Sequence, residues 1–377
     1  MKIVMVSMLF IMCNVFTLFI LAITPYITRK TESFGVSIPE EKHWDPQVKI
    51  IRKTYRNRLL IYGGGMSIVF LVIALVKLSD LTALLLPIGT IILMFLMFAF
   101  YLDGHKKMKE LKATTNWMGE KTQVIILDTS FRNKKIMASP LWFMLYIIII
   151  LATASLGVLL YDKIPAIIPM HWNISGNVDR WSNKSYGTVM WAPFVQMFLT
   201  VIMGYSYWII GKSKQIIDPT NPEVSSQQNR TFRYRWSLFI IMTGLALVIM
   251  FGFIDFFTFG FINNSWIMIA TILIFTIGVA IGSIVLSITT GQGGNRLYIK
   301  NIITGDSIES KTVSRDEDKF WKLGLFYFNP EDPSFIVEKR FGIGWTNNWG
   351  RPISWVLSLG LVAILVGFVI ASALLTK

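Results

Sequence analysis

The sequence predicts an all-α, polytopic membrane protein of about eight transmembrane helices, with small cytoplasmic loop elements that include short strands. Of the 377 residues, 53% are hydrophobic and 15% are charged, whereas about a quarter of the residues in a soluble domain are charged. The apolar residues form long runs, and about 20 such residues let a helix cross a bilayer. Eight runs lie at residues 3–22, 59–76, 81–101, 140–161, 189–210, 236–257, 266–289 and 353–375.

Each of the first three runs has an alternative to being a separate membrane helix. The run at 3–22 could be a secretory signal peptide, but it is long and residues 20–25 offer no convincing small-residue cleavage site, so we expect a retained helix. The second and third runs are separated only by Lys77-Leu-Ser-Asp80. A single helix over both runs would be far longer than the bilayer requires, so this polar break predicts a tight hairpin.

The distribution of Lys and Arg predicts the orientation in the cell membrane. Of the 36 basic residues, 30 lie in the odd-numbered loops between the runs and four in the even-numbered loops. Cytoplasmic loops carry an excess of Lys and Arg, so the odd-numbered loops are expected inside and both termini outside. The net charge of +14 is therefore attributed to topology and contact with the lipid bilayer, and no nucleic-acid partner is expected because no recognisable nucleic-acid module is present.

Runs and loops divide the chain into five predicted regions. Short strands are predicted within 124–127, 296–303 and 335–341, with a buried extended segment as the alternative at 124–127 and an interfacial element as the alternative at 335–341. For the aromatic-rich segment, two interpretations stay open: a surface that docks on lipid or a partner, and the favoured one, a cap on the helix ends. The regions are a three-helix region with basic cytoplasmic loops (1–139), a helix–loop–helix with an external loop (140–211), a helix pair (212–289), the cytoplasmic aromatic-rich module (290–352) and the last transmembrane helix (353–377).

The external loop at 161–184 holds the candidate binding residues. Two prolines restrict its backbone and a glycine permits a turn. Imidazole, amide and carboxylate groups supply hydrogen bonds, and an indole supplies apolar surface. The candidates are Pro169, His171, Trp172, Asn173, Gly176, Asp179 and Arg180.

His171 has two interpretations. With Asp179 and Asp162 it could bind zinc, since imidazole and carboxylates are zinc ligands. The favoured interpretation is a hydrogen-bonded loop anchor, so no metal is predicted. We expect no catalysis and no cofactor, because the predicted topology puts His171 on the other side of the membrane from His43 and His105, and no His-Glu-x-x-His or Gly-x-Ser-x-Gly pattern occurs.

Polar residues within the apolar runs point to an alternative function. Asp255 is the clearest ionisable one, either interfacial or facing the bundle with Arg180 or Lys184 as its partner. Asn14 and Gln196 are expected to form hydrogen bonds between helices. Asp255 supports the alternative of a transporter or channel component for a small solute or peptide.

The motif Pro169-x-His171-Trp172-Asn173-x-x-Gly176-x-x-Asp179 resembles the signature of the SdpI-like bacterial membrane proteins. The segments 329–333 and 340–348 resemble a C-terminal domain of unknown function found in such proteins. The SdpI-like immunity proteins are shorter and have fewer helices. The resemblance implies a non-enzymatic protein of antimicrobial-peptide immunity or envelope signalling, whose external loop binds a secreted peptide or another membrane protein.

Overall fold

The computed structural model describes residues 14–77, 81–117, 122–124, 131, 134–173, 177–262, 264–299, 312–314 and 316–375. Gly176, most of the predicted run at 3–22, and parts of the strands predicted at 124–127 and 296–303 lie outside the described residues. The helices are α1 (Phe16–Ile27), α2 (Pro46–Arg58), α3 (Gly64–Lys77), α4 (Leu81–Thr115), α5 (Phe143–Leu159), α6 (Tyr186–Val189), α7 (Trp191–Lys212), α8 (Pro222–Thr258), α9 (Ser265–Thr290) and α10 (Pro352–Leu375).

The strands are short and pair two by two. Among the described strands, four pairs are antiparallel, and the pair of β3 with β6 is parallel. The strands are β1 (Glu32–Ser33), β2 (Val36–Ser37), β3 (Thr122–Val124), β4 (Ile167–Trp172), β5 (Val178–Asn183), β6 (Thr312–Ser314), β7 (Trp321–Lys322), β8 (Phe326–Tyr327), β9 (Ile336–Glu338) and β10 (Trp345–Asn347).

The predicted class, a polytopic helical membrane protein, is confirmed. Among the described residues, seven helical stretches are long and apolar enough to cross a membrane. The described end of the predicted first run forms α1, a shorter apolar helix. The seven stretches are Pro46–Ile73, Pro87–Thr115, Pro140–Leu159, Trp191–Lys212, Pro222–Thr258, Trp266–Gly294 and Pro352–Leu374.

Several helices are longer than the apolar runs predict. A π-helical turn over Leu59–Gly63 joins α2 to α3, so the helical stretch of the second run begins at Pro46. Helix α4 continues to Thr115, and α8 begins at Pro222. Hydropathy detects only the part of a helix that lipid can cover, whereas backbone hydrogen bonds continue into polar sequence. Proline opens α2, α8 and α10, because its missing N–H is not needed in the first turn of a helix.

The chain divides into two compact units. Unit 1 comprises Met1–Ile136, Lys212–Tyr234 and Ile284–Ser354, and unit 2 comprises Met137–Gly211, Arg235–Ser283 and Trp355–Lys377. The core of unit 1 combines aliphatic side chains with an aromatic group, in which Phe341 stacks on Phe34 at 5.5 Å and lies 4.6 Å from Tyr101. Phe341 comes from the aromatic-rich segment, so that segment contributes to the core of unit 1.

Unit 2 contains polar groups that join its helices. The fully buried Gln196 donates its amide to the Val248 carbonyl at 2.7 Å and to the Thr153 hydroxyl at 3.2 Å. The predicted interhelical role of Gln196 is therefore confirmed. In unit 1, the side chain of Asn14 has no hydrogen-bond partner among the described residues. The interhelical hydrogen bond predicted for Asn14 is therefore not observed.

Candidate functional site

The candidate loop folds as an antiparallel β-hairpin in unit 2. Ile167 pairs with Asn183, Pro169 with Trp181 and, after a register shift, His171 with Arg180. A shift at this point is expected because Pro169 has no N–H to donate to the ladder. Sequence analysis missed these strands, although Ile167-Ile-Pro-Met-His-Trp172 is rich in β-branched and aromatic residues.

The two faces of the hairpin differ in burial. Ile168 is fully buried and packs with Ile164, Val189 and Phe259. On the opposite face, Ile167 is 57% exposed and Trp181 is 56% exposed. Because successive residues of a strand point to opposite sides, the buried face anchors the hairpin and leaves large apolar groups on the outer face.

Lys184 fastens the base of the hairpin. Its ammonium donates hydrogen bonds to the carbonyls of Tyr161 at 3.0 Å and Ile164 at 2.9 Å. It also lies 4.7 Å from the centre of the Tyr161 ring, which stacks on Tyr186. The ammonium is thus engaged by carbonyls and a ring, and the pairing with Asp255 considered from the sequence is not formed.

His171 and Asp179 form a pair on the exposed side of the hairpin. Nδ1 of His171 lies 2.5 Å from Oδ1 of Asp179, and the two side chains are 57% and 41% exposed. The hydrogen bond expected of His171 is present, but the side chain is exposed and not packed as a loop anchor. The exposed Arg180 pairs with His171 in the backbone ladder, so a guanidinium group belongs to the same part of the hairpin.

Asn173 shapes the end of the hairpin. Its N–H donates to the carbonyl of Asn177 at 2.8 Å, and its side-chain oxygen accepts from the N–H of Asn177 at 3.1 Å. These bonds join the described ends of the two strands, and asparagine is a residue that favours such positions. Trp172, at the end of β4, is half-buried.

Within the described part of the chain, no three His, Cys, Asp or Glu residues lie close enough together to hold a metal ion. Asp162, considered from the sequence as a third ligand, therefore does not join His171 and Asp179. Two groups alone do not complete the tetrahedral sites that zinc prefers.

Asp255 differs from the hairpin groups in being buried. It lies on α8, three residues before the end of the helix, and is 6% exposed. Its Oδ2 atom has no hydrogen-bond partner, and no cation pairs with it among the described residues. Asp255 is thus a buried carboxyl group without a visible counter-charge, which is costly within a membrane.

A cluster of buried charges, not predicted from the sequence, is centred on Glu338 in unit 1. The carboxylate of Glu338 pairs with Arg29, accepts a hydrogen bond from the Asn229 amide at 2.6 Å, and lies 3.8 Å from Arg233. Arg233 also donates to Asn229 Oδ1 at 2.7 Å. The Arg29 and Glu338 side chains are 10% and 1% exposed, so the pair is shielded from solvent.

A second set of ion pairs in unit 1 surrounds Asp318. Arg340 pairs with Asp318 and lies 3.7 Å from Glu32, and Lys112 contacts Asp318 at 2.7 Å. Burial alone would raise the pKa of Asp318, but Arg340 and Lys112 hold it at about 2. Burial raises the pKa of Glu32 to about 7, although Arg340 and Arg29 act against this shift.

The models of two protein families match segments of the chain. Residues 148–197 match a domain of unknown function, DUF1648, and residues 330–355 match a family of unknown function, DUF5808. The first match contains the whole β4–β5 hairpin, and the second contains β9, β10 and Glu338. No curated protein and no solved structure matches the chain.

Proposed function

We propose that this chain is a non-enzymatic bacterial membrane protein of the SdpI-like type, whose hairpin recognises a secreted, membrane-active peptide. Recognition would serve antimicrobial-peptide immunity or envelope signalling. The observation that carries the proposal is the outer side of the hairpin, where the exposed Trp181 and Ile167 accompany the His171–Asp179 pair. Apolar anchors beside a few charged groups suit an amphipathic peptide.

The charges on the hairpin support a peptide with basic residues. Asp179 presents a half-exposed carboxylate beside His171, and such a group attracts Lys or Arg. Trp181 offers a broad ring that contacts apolar side chains and also attracts cations. Arg180 would select against a peptide that is basic throughout, or would pair with an acidic residue or terminus.

The Lys and Arg distribution supports an external hairpin. Of the 36 basic residues, 30 lie in the loops that the positive-inside rule assigns to the cytoplasm. The loop that forms the hairpin belongs to the other set. A secreted peptide would then meet the hairpin directly from outside the cell.

The environments of the three histidines support a function without catalysis. His43 contacts Arg52 and the Lys30 carbonyl, His105 contacts the Phe34 carbonyl, and His171 contacts Asp179. In these contacts no histidine is hydrogen-bonded to a hydroxyl or thiol that it could activate as a nucleophile.

Asp255 favours a second candidate, a transporter or channel component for a small solute or peptide. Ionisable residues within membrane spans are rare and often mark pathways for ions or substrates. Asp255 is buried, and its Oδ2 atom lacks a partner.

The test is survival of bacteria that express the chain and are exposed to a panel of secreted membrane-active peptides. The variants are Asp179→Asn and Trp181→Ala, and the matched control is Asp162→Asn, an exposed carboxylate outside the two strands. We expect the parent and the control to protect against at least one peptide and the two hairpin variants to lose that protection at equal membrane abundance. No protection by the parent, or full protection by both hairpin variants, would contradict the proposal.

A further inference from the structure

An open cleft runs along unit 2 between α5 and α8, with a volume of about 400 Å³. Its walls are mainly aliphatic and aromatic, with Ile148 and Leu156 on one side and Phe253 and Phe256 on the other. Ile148 is 58% exposed, so the cleft opens at the surface of the helices. A volume within roughly 300–1,000 Å³ and apolar walls with few polar groups are typical of small-molecule sites.

Asp255 is the charged group of this cleft. No Lys, Arg or His is present among the described residues that line it. The other polar group, the Thr153 hydroxyl, already donates to the Ile149 carbonyl at 2.9 Å and accepts from Gln196 at 3.2 Å. The unpartnered Oδ2 of Asp255 therefore lacks a donor, and burying a carboxyl group without one is unfavourable.

The cleft is long enough for a single alkyl chain with a polar head. From Leu160 to Ile148 it follows roughly 18 Å of chain, at about 1.5 Å per helical residue. Asp255 lies near one end of α8, three residues before Thr258. A head group at Asp255 would thus lie close to the membrane surface, while its chain would extend along α5 towards the bilayer interior.

We propose that this cleft binds a membrane-dissolved amphiphile with an amine head group, which donates a charge-assisted hydrogen bond to Asp255. Its alkyl chain contacts Ile148, Leu156 and Phe253. A cationic head supplies both the missing donor and the missing counter-charge. A hydroxyl head supplies only a donor, and a carboxylate head is repelled.

The test is photo-crosslinking of the purified full-length chain in detergent. The probe is dodecylamine with a diazirine in its chain, compared with the matching alcohol and carboxylic acid. Crosslinked peptides are identified by mass spectrometry. We expect the amine to label peptides containing residues 148–160 and 249–261 at least about tenfold more than the other two probes. Equal labelling by all three would mean an apolar groove filled by any lipid, and would overturn the proposal.

Two variants test the charge of the cleft and its open volume separately. Asp255→Asn keeps the shape of the side chain and removes the charge, and Ala152→Phe fills the cleft from a position on its wall. Ser155→Phe is the control, because Ser155 is exposed on the same helix and does not line the cleft. We expect the first two to reduce amine labelling about tenfold and the control to match the parent.

Thermal unfolding of each variant separates loss of binding from loss of folding. If Asp255→Asn does not fold, the comparison of Ala152→Phe with Ser155→Phe decides. Unchanged labelling in a folded Asp255→Asn or in Ala152→Phe would contradict the proposal. The readout is chemical labelling, so it does not depend on protection against peptides.

Discussion

The β4–β5 hairpin and the ion cluster around Glu338 use charged residues in opposite ways. In the hairpin, His171 and Asp179 pair while they are 57% and 41% exposed. In unit 1, Arg29 and Glu338 pair while they are 10% and 1% exposed. Exposed pairs add little to stability because water screens them, whereas loss of one partner from a buried pair leaves an isolated charge. The charges in the hairpin can therefore serve recognition with little effect on stability. Loss of a charge around Glu338 is expected to destabilise the fold.

The largest effect is expected from Glu338→Gln. The change leaves the guanidinium groups of Arg29 and Arg233 without their carboxylate in a buried position. We expect a loss of about 3–5 kcal/mol in the free energy of unfolding, as for other broken buried pairs. Thermal unfolding in detergent measures this loss, and Glu331→Gln, at an exposed position nearby, is the control. Equal unfolding midpoints for both variants would remove the contrast between the two regions.

The pH dependence of stability is expected to arise from two buried groups in unit 1 that act in opposite directions. Burial raises the pKa of Glu32 from 4.5 to about 7, so stability falls as the pH rises from 4.5 to 7. Burial and the charge of Arg52 lower the pKa of His43 from 6.5 to about 4, so stability rises from pH 4 to 6.5. Each shift corresponds to about 3 kcal/mol, and the two effects offset each other between pH 4.5 and 6.5.

Glu32→Gln separates these two effects. We expect the unfolding midpoint of the parent to change little between pH 4.5 and 6.5, and that of Glu32→Gln to rise across this range. Addition of His43→Gln removes the rise. The same slope in the parent and in Glu32→Gln would show that burial does not shift Glu32 as described.

Gly293→Ala is expected to have a smaller effect on the same cluster. Gly293 has a φ of +64°, and a Cβ atom there would lie 2.2 Å from Nη2 of Arg29. Backbone strain and displacement of Arg29 are expected to cost about 2 kcal/mol. Gly278→Ala is the control, because a Cβ atom at this helical position meets no atom within 4 Å. If both variants unfold at the same temperature, Arg29 does not depend on this close approach.

The smallest effect is expected in the hairpin. Asp179→Asn removes an exposed charge and is expected to change the free energy of unfolding by less than about 1 kcal/mol. Thermal unfolding and membrane abundance measure this effect, with Asp162→Asn as the control. A loss as large as that of Glu338→Gln would mean that the hairpin pair is structural, and would weaken its assignment to recognition.

The sequence predicts some of these features well and others not at all. Apolar runs identify the membrane helices, and the break at residues 77–80 is where α3 ends and α4 begins. The loop at 161–184 stands out by composition, but its hairpin was missed, because Pro169 cannot donate to a ladder and therefore favours a loop in a prediction from sequence. A local sequence pattern predicts only those structural features that residues close together in the chain determine.

The ion cluster could not be predicted in this way. Arg29 and Glu338 are 309 positions apart, and only the folded chain brings them together. Each basic residue of the cluster also fits the positive-inside rule, which gave a sufficient explanation for its presence in a loop. In a single sequence, a basic residue that is buried in an ion pair looks the same as one that only sets the membrane topology. The two are distinguished only by their burial in the folded chain.

The most direct test of peptide recognition from outside the cell is to determine which side of the membrane the hairpin occupies. Asn177→Cys places a thiol at its exposed end, in a background in which Cys13→Ser removes the single native cysteine. Glu110→Cys, in a segment expected in the cytoplasm, is the control. We expect a membrane-impermeant maleimide to label the first variant in intact cells and the second only after permeabilisation. Labelling at position 177 only after permeabilisation would contradict recognition of a secreted peptide from outside.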